Sequence, residues 1–170
     1  MEFRILGALE VFSDGAALSI AGAKERAILA DLLLHAGQIV SADRLIDELW
    51  GDEPPDAARN SLQVRVSGLR RVLGRERIVS GSGGYLIRIE PGELDLRHFE
   101  KLTASGGRDD LDEALALWRG PPLSEFRNEH YAPKLLVNAA GIGESDARIT
   151  PATIAPGAYG FLTARLRPHP

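Results

Sequence analysis

The segment LQVRVSGLRRVLG, residues 62–74, has the pattern that decides the fold. Its apolar residues recur every three or four positions, which places them in one stripe along a helix: Leu62, Val66, Leu69 and Leu73. The centre of the opposite face is mostly polar or small: Asn60, Val64, Ser67, Gly68 and Arg71. The sequence therefore predicts an amphipathic helix that buries its apolar stripe and ends at Gly74.

Arginine is concentrated around this predicted helix. The whole chain has a formal net charge of −4, but residues 56–88 hold seven arginines against Asp56 and Glu76, a local net charge of +5. Residues 90–129 have the opposite balance, with five basic and ten acidic residues. A basic block within an acidic chain favours a polyanionic partner such as nucleic acid, which the total charge conceals.

A small antiparallel sheet is predicted at the N-terminus. Residues 2–11 alternate roughly between polar and apolar positions, and a second short strand is expected over residues 17–20. Turn residues at 13–15 separate the two strands. The residues expected to face inward are Phe3, Ile5 and Leu9.

Two more helices are predicted before the arginine-rich one. The first covers residues 23–37 and ends at Gly37, and the second runs from Asp43 to Trp50 with Ser41 as its N-cap. The loop GDEPP follows, because its two prolines cannot continue a helix. Asp56 is then expected to cap the third helix.

A β-hairpin is predicted after the third helix. Its strands are Ile78–Val79 and residues 85–89, and its tip, SGSGG at 80–84, is expected to be exposed and mobile. Pro91–Gly92 indicates a domain boundary, and two further helices are predicted over 94–102 and 111–118. A helix–loop–helix, a third helix and a glycine-tipped hairpin form the layout of a winged helix.

The residue pattern argues against an enzyme, a cofactor and a metal site. There is no cysteine, and the four histidines are scattered along the chain, which argues against a metal site. A phosphate-binding loop is followed by a helix, whereas a predicted strand follows the glycine-rich loop here. The N-terminus lacks the pattern of a secretory signal, and no apolar run is long enough for a membrane span. A cytoplasmic protein is therefore expected.

Several segments, in this order, resemble one family. FRILGALEV at 3–11, SADRLIDELWGDEPPDAARNSLQVRVSGLRRVLG at 41–74 and GGYLIRI at 83–89 are similar to the OmpR-type winged-helix domain. More narrowly, they resemble that domain in the Streptomyces antibiotic regulatory protein (SARP) activators. ELDLRHFEKL at 93–102 and EALALWRGPPLSEF at 113–126 are similar to the start of the bacterial transcriptional activation domain that follows it there.

The resemblance implies an α+β fold, a winged helix-turn-helix with an N-terminal antiparallel sheet, three helices and a C-terminal hairpin wing. The expected organisation is a DNA-binding domain over residues 1–92, a partial helical activation domain over 93–132 and an irregular tail over 133–170. Glycine and proline interrupt every candidate element of the tail, so no fold is assigned to it. It is either a divergent extension or the product of a truncated or frame-shifted gene.

The resemblance also implies the partners, double-stranded DNA and RNA polymerase. The third helix would enter the major groove, the wing would reach a minor groove, and copies would bind direct repeats as a dimer or in tandem. The DNA-binding residues predicted on this basis are Arg59, Asn60, Gln63, Val64, Arg65, Ser67, Arg70, Arg71, Arg77 and Gly83. The loop expected to face RNA polymerase consists of Trp50, Gly51, Asp52, Glu53, Pro54 and Pro55.

Two departures from the family pattern leave an alternative open. Gly68 stands where the family usually places an arginine, and the wing tip lacks the basic residue often found there. The alternative function is a protein-interaction module, derived from a winged helix, that binds DNA weakly or not at all.

Overall fold

The computed structural model describes residues 1–105 and 107–126. Two three-stranded antiparallel sheets and a group of three helices share one hydrophobic core, and two further helices follow. The strands are β1 (Glu2–Arg4), β2 (Glu10–Ser13), β3 (Ala16–Ala17), β4 (Val40–Ser41), β5 (Ile78–Gly81) and β6 (Gly84–Ile87). The helices are α1 (Ala23–Leu34), α2 (Ala42–Trp50), α3 (Ala58–Leu73), α4 (Asp95–Ser105) and α5 (Arg108–Leu117), with a final 3₁₀ turn at Ser124–Phe126.

The N-terminal sheet has the order β1-β2-β3. The predicted run over residues 2–11 is two strands rather than one, because the chain turns between them and Phe3 pairs with Val11. The three residues predicted to face inward are buried, as expected.

Of the two capping residues predicted from the sequence, one caps its helix and the other does not. Ser41 caps α2 as predicted, since its Oγ accepts a hydrogen bond from the backbone N–H of Arg44 at 3.2 Å. Asp56 does not cap α3, and that prediction was wrong. The helix begins at Ala58 without a side-chain cap, because the N–H of Ala58 donates to the carbonyl of Pro55 at 2.9 Å instead.

The second sheet has the order β4-β6-β5 and contains the wing. Its hairpin is tighter than predicted, because only Ser82 and Gly83 lie between the strands, with φ values of +40° and +79°. The pairing strand β4 was not predicted. It approaches β6 so closely that a Cβ on Gly84 would lie 2.1 Å from the carbonyl oxygen of Val40.

The chain after the wing packs against the N-terminal sheet within the same hydrophobic core. The buried Asp95 carboxylate accepts hydrogen bonds from the N–H groups of Ile5 and Leu6 at 2.9–3.0 Å. Further along, Glu125 accepts from the N–H of Leu9 at 2.8 Å and from the guanidinium of Arg26 at 2.7 Å. The division into domains at residue 92 remains a prediction, and the tail over 133–170 lies outside the described residues.

A buried carboxylate joins α1 to α2. Asp31 is 0% exposed, and its Oδ1 lies 3.2 Å from both His35 Nδ1 and Arg44 Nη2. The hydrogen bond to Asp31 raises the pKa of His35 above its ordinary value, although burial opposes this shift. The contact between α1 and α2 therefore includes a group that titrates, His35, which shares Asp31 with Arg44.

Candidate nucleic-acid interface

Helix α3 buries one face completely and exposes the other. The apolar stripe predicted from the sequence is 1–2% exposed along its whole length. Val64, two residues from the buried Val66, is 63% exposed. The polar residues predicted around Val64 are also exposed: Asn60, Gln63, Ser67 and Arg71.

Arg59 and Arg71 extend from this exposed face. Arg59 forms an ion pair with Asp43 of α2, and the two side chains are 66% and 79% exposed. Arg71 is exposed and has no ion pair with any residue that the structure describes. Exposed ion pairs contribute little free energy, so both guanidinium groups are available to an incoming anion.

Arg65 is held by the protein itself. Its Nη1 donates a hydrogen bond to Glu25 Oε1 at 2.7 Å, and the two side chains are only 30% and 22% exposed. Glu25 lies in the first turn of α1, forty residues earlier in the chain. Sequence reasoning missed this partner, because no local pattern links the two positions.

Arg70 connects α3 to the wing. Its Nε donates to the carbonyl of Ile78 at 2.7 Å, and its Nη2 donates to Ser80 Oγ at 2.8 Å. The guanidinium also lies 5.9 Å from the ring centre of Tyr85 on β6. Arg70 therefore holds the hairpin at a defined position beside α3.

Arg77 lies before the first wing strand and points to the segment that follows the wing. Its guanidinium forms two hydrogen bonds to the Glu93 carboxylate, at 2.6 and 2.7 Å, and its side chain is 19% exposed. The bond to Glu93 raises the pKa of Arg77 above its ordinary value. The structure thus gives Arg77 an internal partner that the sequence did not reveal.

The wing tip is exposed but is attached to α2. The carbonyl of Gly83 accepts a hydrogen bond from the N–H of Ala42 at 2.9 Å, next to the β4–β6 pairing. Neither residue of the tip, Ser82 or Gly83, has a basic side chain. The wing therefore presents mainly backbone groups at its end.

The loop after α2 is a second exposed feature. Trp50 is half-buried and lies against the Lys24 ammonium, 4.8 Å from the ring centre, and Gly51 ends the helix with a φ of +58°. The rest of the loop is exposed: Asp52, Glu53, Pro54 and Pro55. The structure brings these residues together beside α3 without showing what binds them.

Comparisons with known proteins find transcriptional regulators. Residues 19–86 match the family model described as "Transcriptional regulatory protein, C terminal". The chain is 38% identical over 136 residues to the regulatory protein AfsR of Streptomyces coelicolor, and 35% identical over 141 residues to the transcriptional regulator RedD of the same organism. The alignment with AfsR covers 73% of this chain and 14% of AfsR, and that with RedD covers 72% and 40%.

These relatives are SARP-family regulators, and the chain resembles that family. A solved structure, Mycobacterium tuberculosis EmbR in complex with a low-affinity phosphopeptide, matches it with a TM-score of 0.71 and 29% identity, over 97% of this chain and 48% of EmbR. This likeness confirms the predicted α+β winged-helix fold. The SARP family consists of transcriptional regulators and not of enzymes, as the sequence predicted.

The chain spans 14% of AfsR and less than half of EmbR and RedD. Within residues 1–105 and 107–126, no cluster of His, Asp and Glu could hold a metal ion. No helix in this same part of the chain has the length and apolar character that a membrane crossing requires.

Proposed function

We propose that this chain binds duplex DNA in a sequence-specific manner and activates transcription from a nearby promoter. The observation that carries the proposal is the division of α3, whose apolar stripe is buried while Val64 is 63% exposed among polar residues. Such a helix can enter the major groove, which admits one α-helix, without disturbing the core. The similarity to SARP-family transcriptional regulators supports the same interpretation.

The exposed side chains of α3 suit the chemistry of base edges. Asn60 and Gln63 can make paired hydrogen bonds to adenine, and Arg71 can make them to guanine or bind a phosphate. Val64 offers two methyl groups to a thymine methyl. Ser67 can bond to any base or to the backbone, and Arg59 would exchange its exposed pair with Asp43 for a phosphate.

The wing and the loop after α2 complete the proposed assembly. Arg70 would act mainly as a positioning residue, because its guanidinium is committed to the carbonyl of Ile78 and to Ser80. Gly83 would approach the DNA through its backbone. The exposed loop over residues 50–55 would contact RNA polymerase while copies of the chain occupy direct repeats, as a dimer or in tandem.

A salt series on DNA tests the proposal. The whole chain is titrated with a duplex selected from a random pool and with a scrambled duplex, at 50 to 200 mM salt. Binding should weaken steeply as salt increases, because each neutralised phosphate releases a counterion, and the selected duplex should bind more tightly throughout. Weak binding without sequence preference at every salt concentration would refute the proposal.

An Arg71→Ala variant sharpens this test. If Arg71 reads a base, the variant should lose about 1–3 kcal/mol of binding free energy and relax sequence preference at one position. Arg108→Ala is the matched control. Arg108 is exposed at the start of α5, so its substitution removes the same charge at a position far along the chain from α3. Equal losses in the two variants would mean that only total charge matters.

A protein-interaction module is the second candidate. The observation that favours it is the internal pairing of three predicted DNA-binding arginines: Arg65 with Glu25, Arg70 with Ser80 and Arg77 with Glu93. A module of this kind would bind RNA polymerase in the absence of DNA and would show no selected duplex in the experiment above.

A further inference from the structure

The ion pair between Glu25 and Arg65 joins α1 to the edge of the proposed DNA-reading face. Arg65 directly follows Val64, the most exposed apolar residue of α3, yet its own side chain is only 30% exposed. The hydrogen bond from Arg65 Nη1 to Glu25 Oε1 is short, at 2.7 Å. A carboxylate therefore lies beside the surface that would meet DNA phosphates.

The fold gives Glu25 a defined position. Its carboxylate folds back over Gly22, the residue before α1, so closely that a Cβ on Gly22 would lie 2.1 Å from Glu25 Oε2 and 2.9 Å from Cδ. Gly22 also has a φ of +89°, which favours glycine. Glu25 can occupy this place only because residue 22 has no side chain.

The pair is partly shielded from water. In the part of the chain that the structure describes, Glu25 Oε2 and Arg65 Nε are both buried and have no hydrogen-bond partner. The ion pair of Arg59 with Asp43, also on α3, differs in that both side chains are mostly exposed. Water and salt open an exposed pair readily, whereas a partly buried pair is screened much less.

We propose that Glu25 is a specificity-determining residue, which neutralises Arg65 and keeps it from binding DNA phosphates. This inference rests on the proposed DNA binding. Phosphate contacts raise the affinity for every sequence alike, whereas base contacts discriminate between sequences. With Arg65 restrained, the affinity of α3 depends more on the base-reading residues around Val64, so discrimination is higher.

The inference predicts the effect of Glu25→Gln. Glutamine keeps the size of the side chain and can still accept a hydrogen bond, but it no longer neutralises Arg65. One additional phosphate contact makes the slope of the logarithm of the binding constant against the logarithm of salt steeper by about 0.9. For a scrambled duplex, the ratio of the variant's binding constant to that of the wild type should therefore be about eightfold higher at 0.1 M salt than at 1 M. The preference of the variant for the selected duplex should decrease.

The experiment compares the whole chain with Glu25→Gln and three further variants. Glu113→Gln is the control for charge, because Glu113 is 56% exposed on α5 and pairs with His98. Glu25→Gln with Arg65→Gln tests whether the effect depends on Arg65. Gly22→Ala displaces the Glu25 carboxylate without any change of charge, and thermal unfolding reports whether each variant is folded.

The outcomes separate the inference from the proposed function. We expect a steeper salt slope in Glu25→Gln and in Gly22→Ala, no such change in Glu113→Gln, and its loss in the double variant. If the wild type binds DNA with sequence preference and Glu25→Gln has the same slope, the inference alone is overturned. Absence of salt-dependent binding by the wild type overturns the proposed function and this inference with it.

Discussion

Val64 and Val66 offer a matched pair of substitutions on α3. The two valines are two positions apart, but Val64 is 63% exposed and Val66 is 1% exposed. Replacement of either one by alanine removes the same two methyl groups. Only the surroundings differ, so the comparison tests the orientation of α3 directly.

The expected stability changes follow from this difference in burial. At about 0.8 kcal/mol for each buried carbon, with a further contribution from the cavity, Val66→Ala should destabilise the fold by roughly 1.5–3 kcal/mol. This corresponds to a decrease in Tm of about 5–15 °C. Val64→Ala should change the free energy of unfolding by no more than about 0.5 kcal/mol.

The DNA-binding changes should have the reverse order among the folded variants. Loss of a methyl contact with thymine is worth about 1 kcal/mol, or roughly fivefold in Kd. The assay is fluorescence anisotropy with a selected duplex in which each thymine in turn is replaced by uracil, which lacks the methyl group. The wild type should bind more weakly when one particular thymine is replaced, and Val64→Ala should be insensitive to that replacement.

Two results would refute this reasoning. Equal destabilisation by the two substitutions would mean that α3 does not present Val64 to solvent. A variant Val64→Ala that still distinguishes thymine from uracil as the wild type does would mean that Val64 does not contact the base.

Two other substitutions test the DNA-facing surface and the α1–α2 contact. Gly68→Arg should tighten DNA binding and steepen the salt slope by about 0.9, because a Cβ on Gly68 meets no atom within 4 Å; an unchanged anisotropy titration would count against the proposed docking of α3. His35→Gln should cost about 1 kcal/mol of folding free energy at low pH. Since the pKa of His35 is raised in the fold, its contribution is complete below the unfolded value of 6.5 and is lost as the pH rises through the folded value. Thermal melts of both proteins from pH 5.5 to 8.5 check this, and a difference in stability that does not change with pH would contradict it.

Local patterns in the sequence predicted much of the fold. Helical spacing identified the buried stripe of α3, and Ser41 and Gly51 marked the ends of α2 because capping depends on a few adjacent residues. Strand β4 was missed because two residues carry no periodicity, and its pairing partner β6 lies more than forty residues later. The N-terminus of α3 was misjudged because a backbone carbonyl, which has no sequence signature, accepts the bond predicted for Asp56.

The sequence predicted which face of α3 is exposed, but not which side chains on that face are free of bonds to the rest of the protein. Periodicity places Asn60, Val64 and Ser67 outward, since the centre of an exposed helix face has no neighbours. Residues at the edge of that face behave differently. The partners of Arg65 and Arg70 come from α1 and the wing, so only the tertiary structure shows that these arginines are already engaged.

The buried carboxylate of Asp95 has a practical consequence for building chimeric regulators. A fusion that exchanges residues 1–92 between relatives would take the N–H groups of Ile5 and Leu6 from one protein and residue 95, whose carboxylate accepts from them here, from the other. A graft extended through Phe126 would keep this acceptor and the Arg26–Glu125 pair with the donor sequence. We therefore expect recombinants joined after residue 126 to have a higher Tm than those joined at the end of the wing.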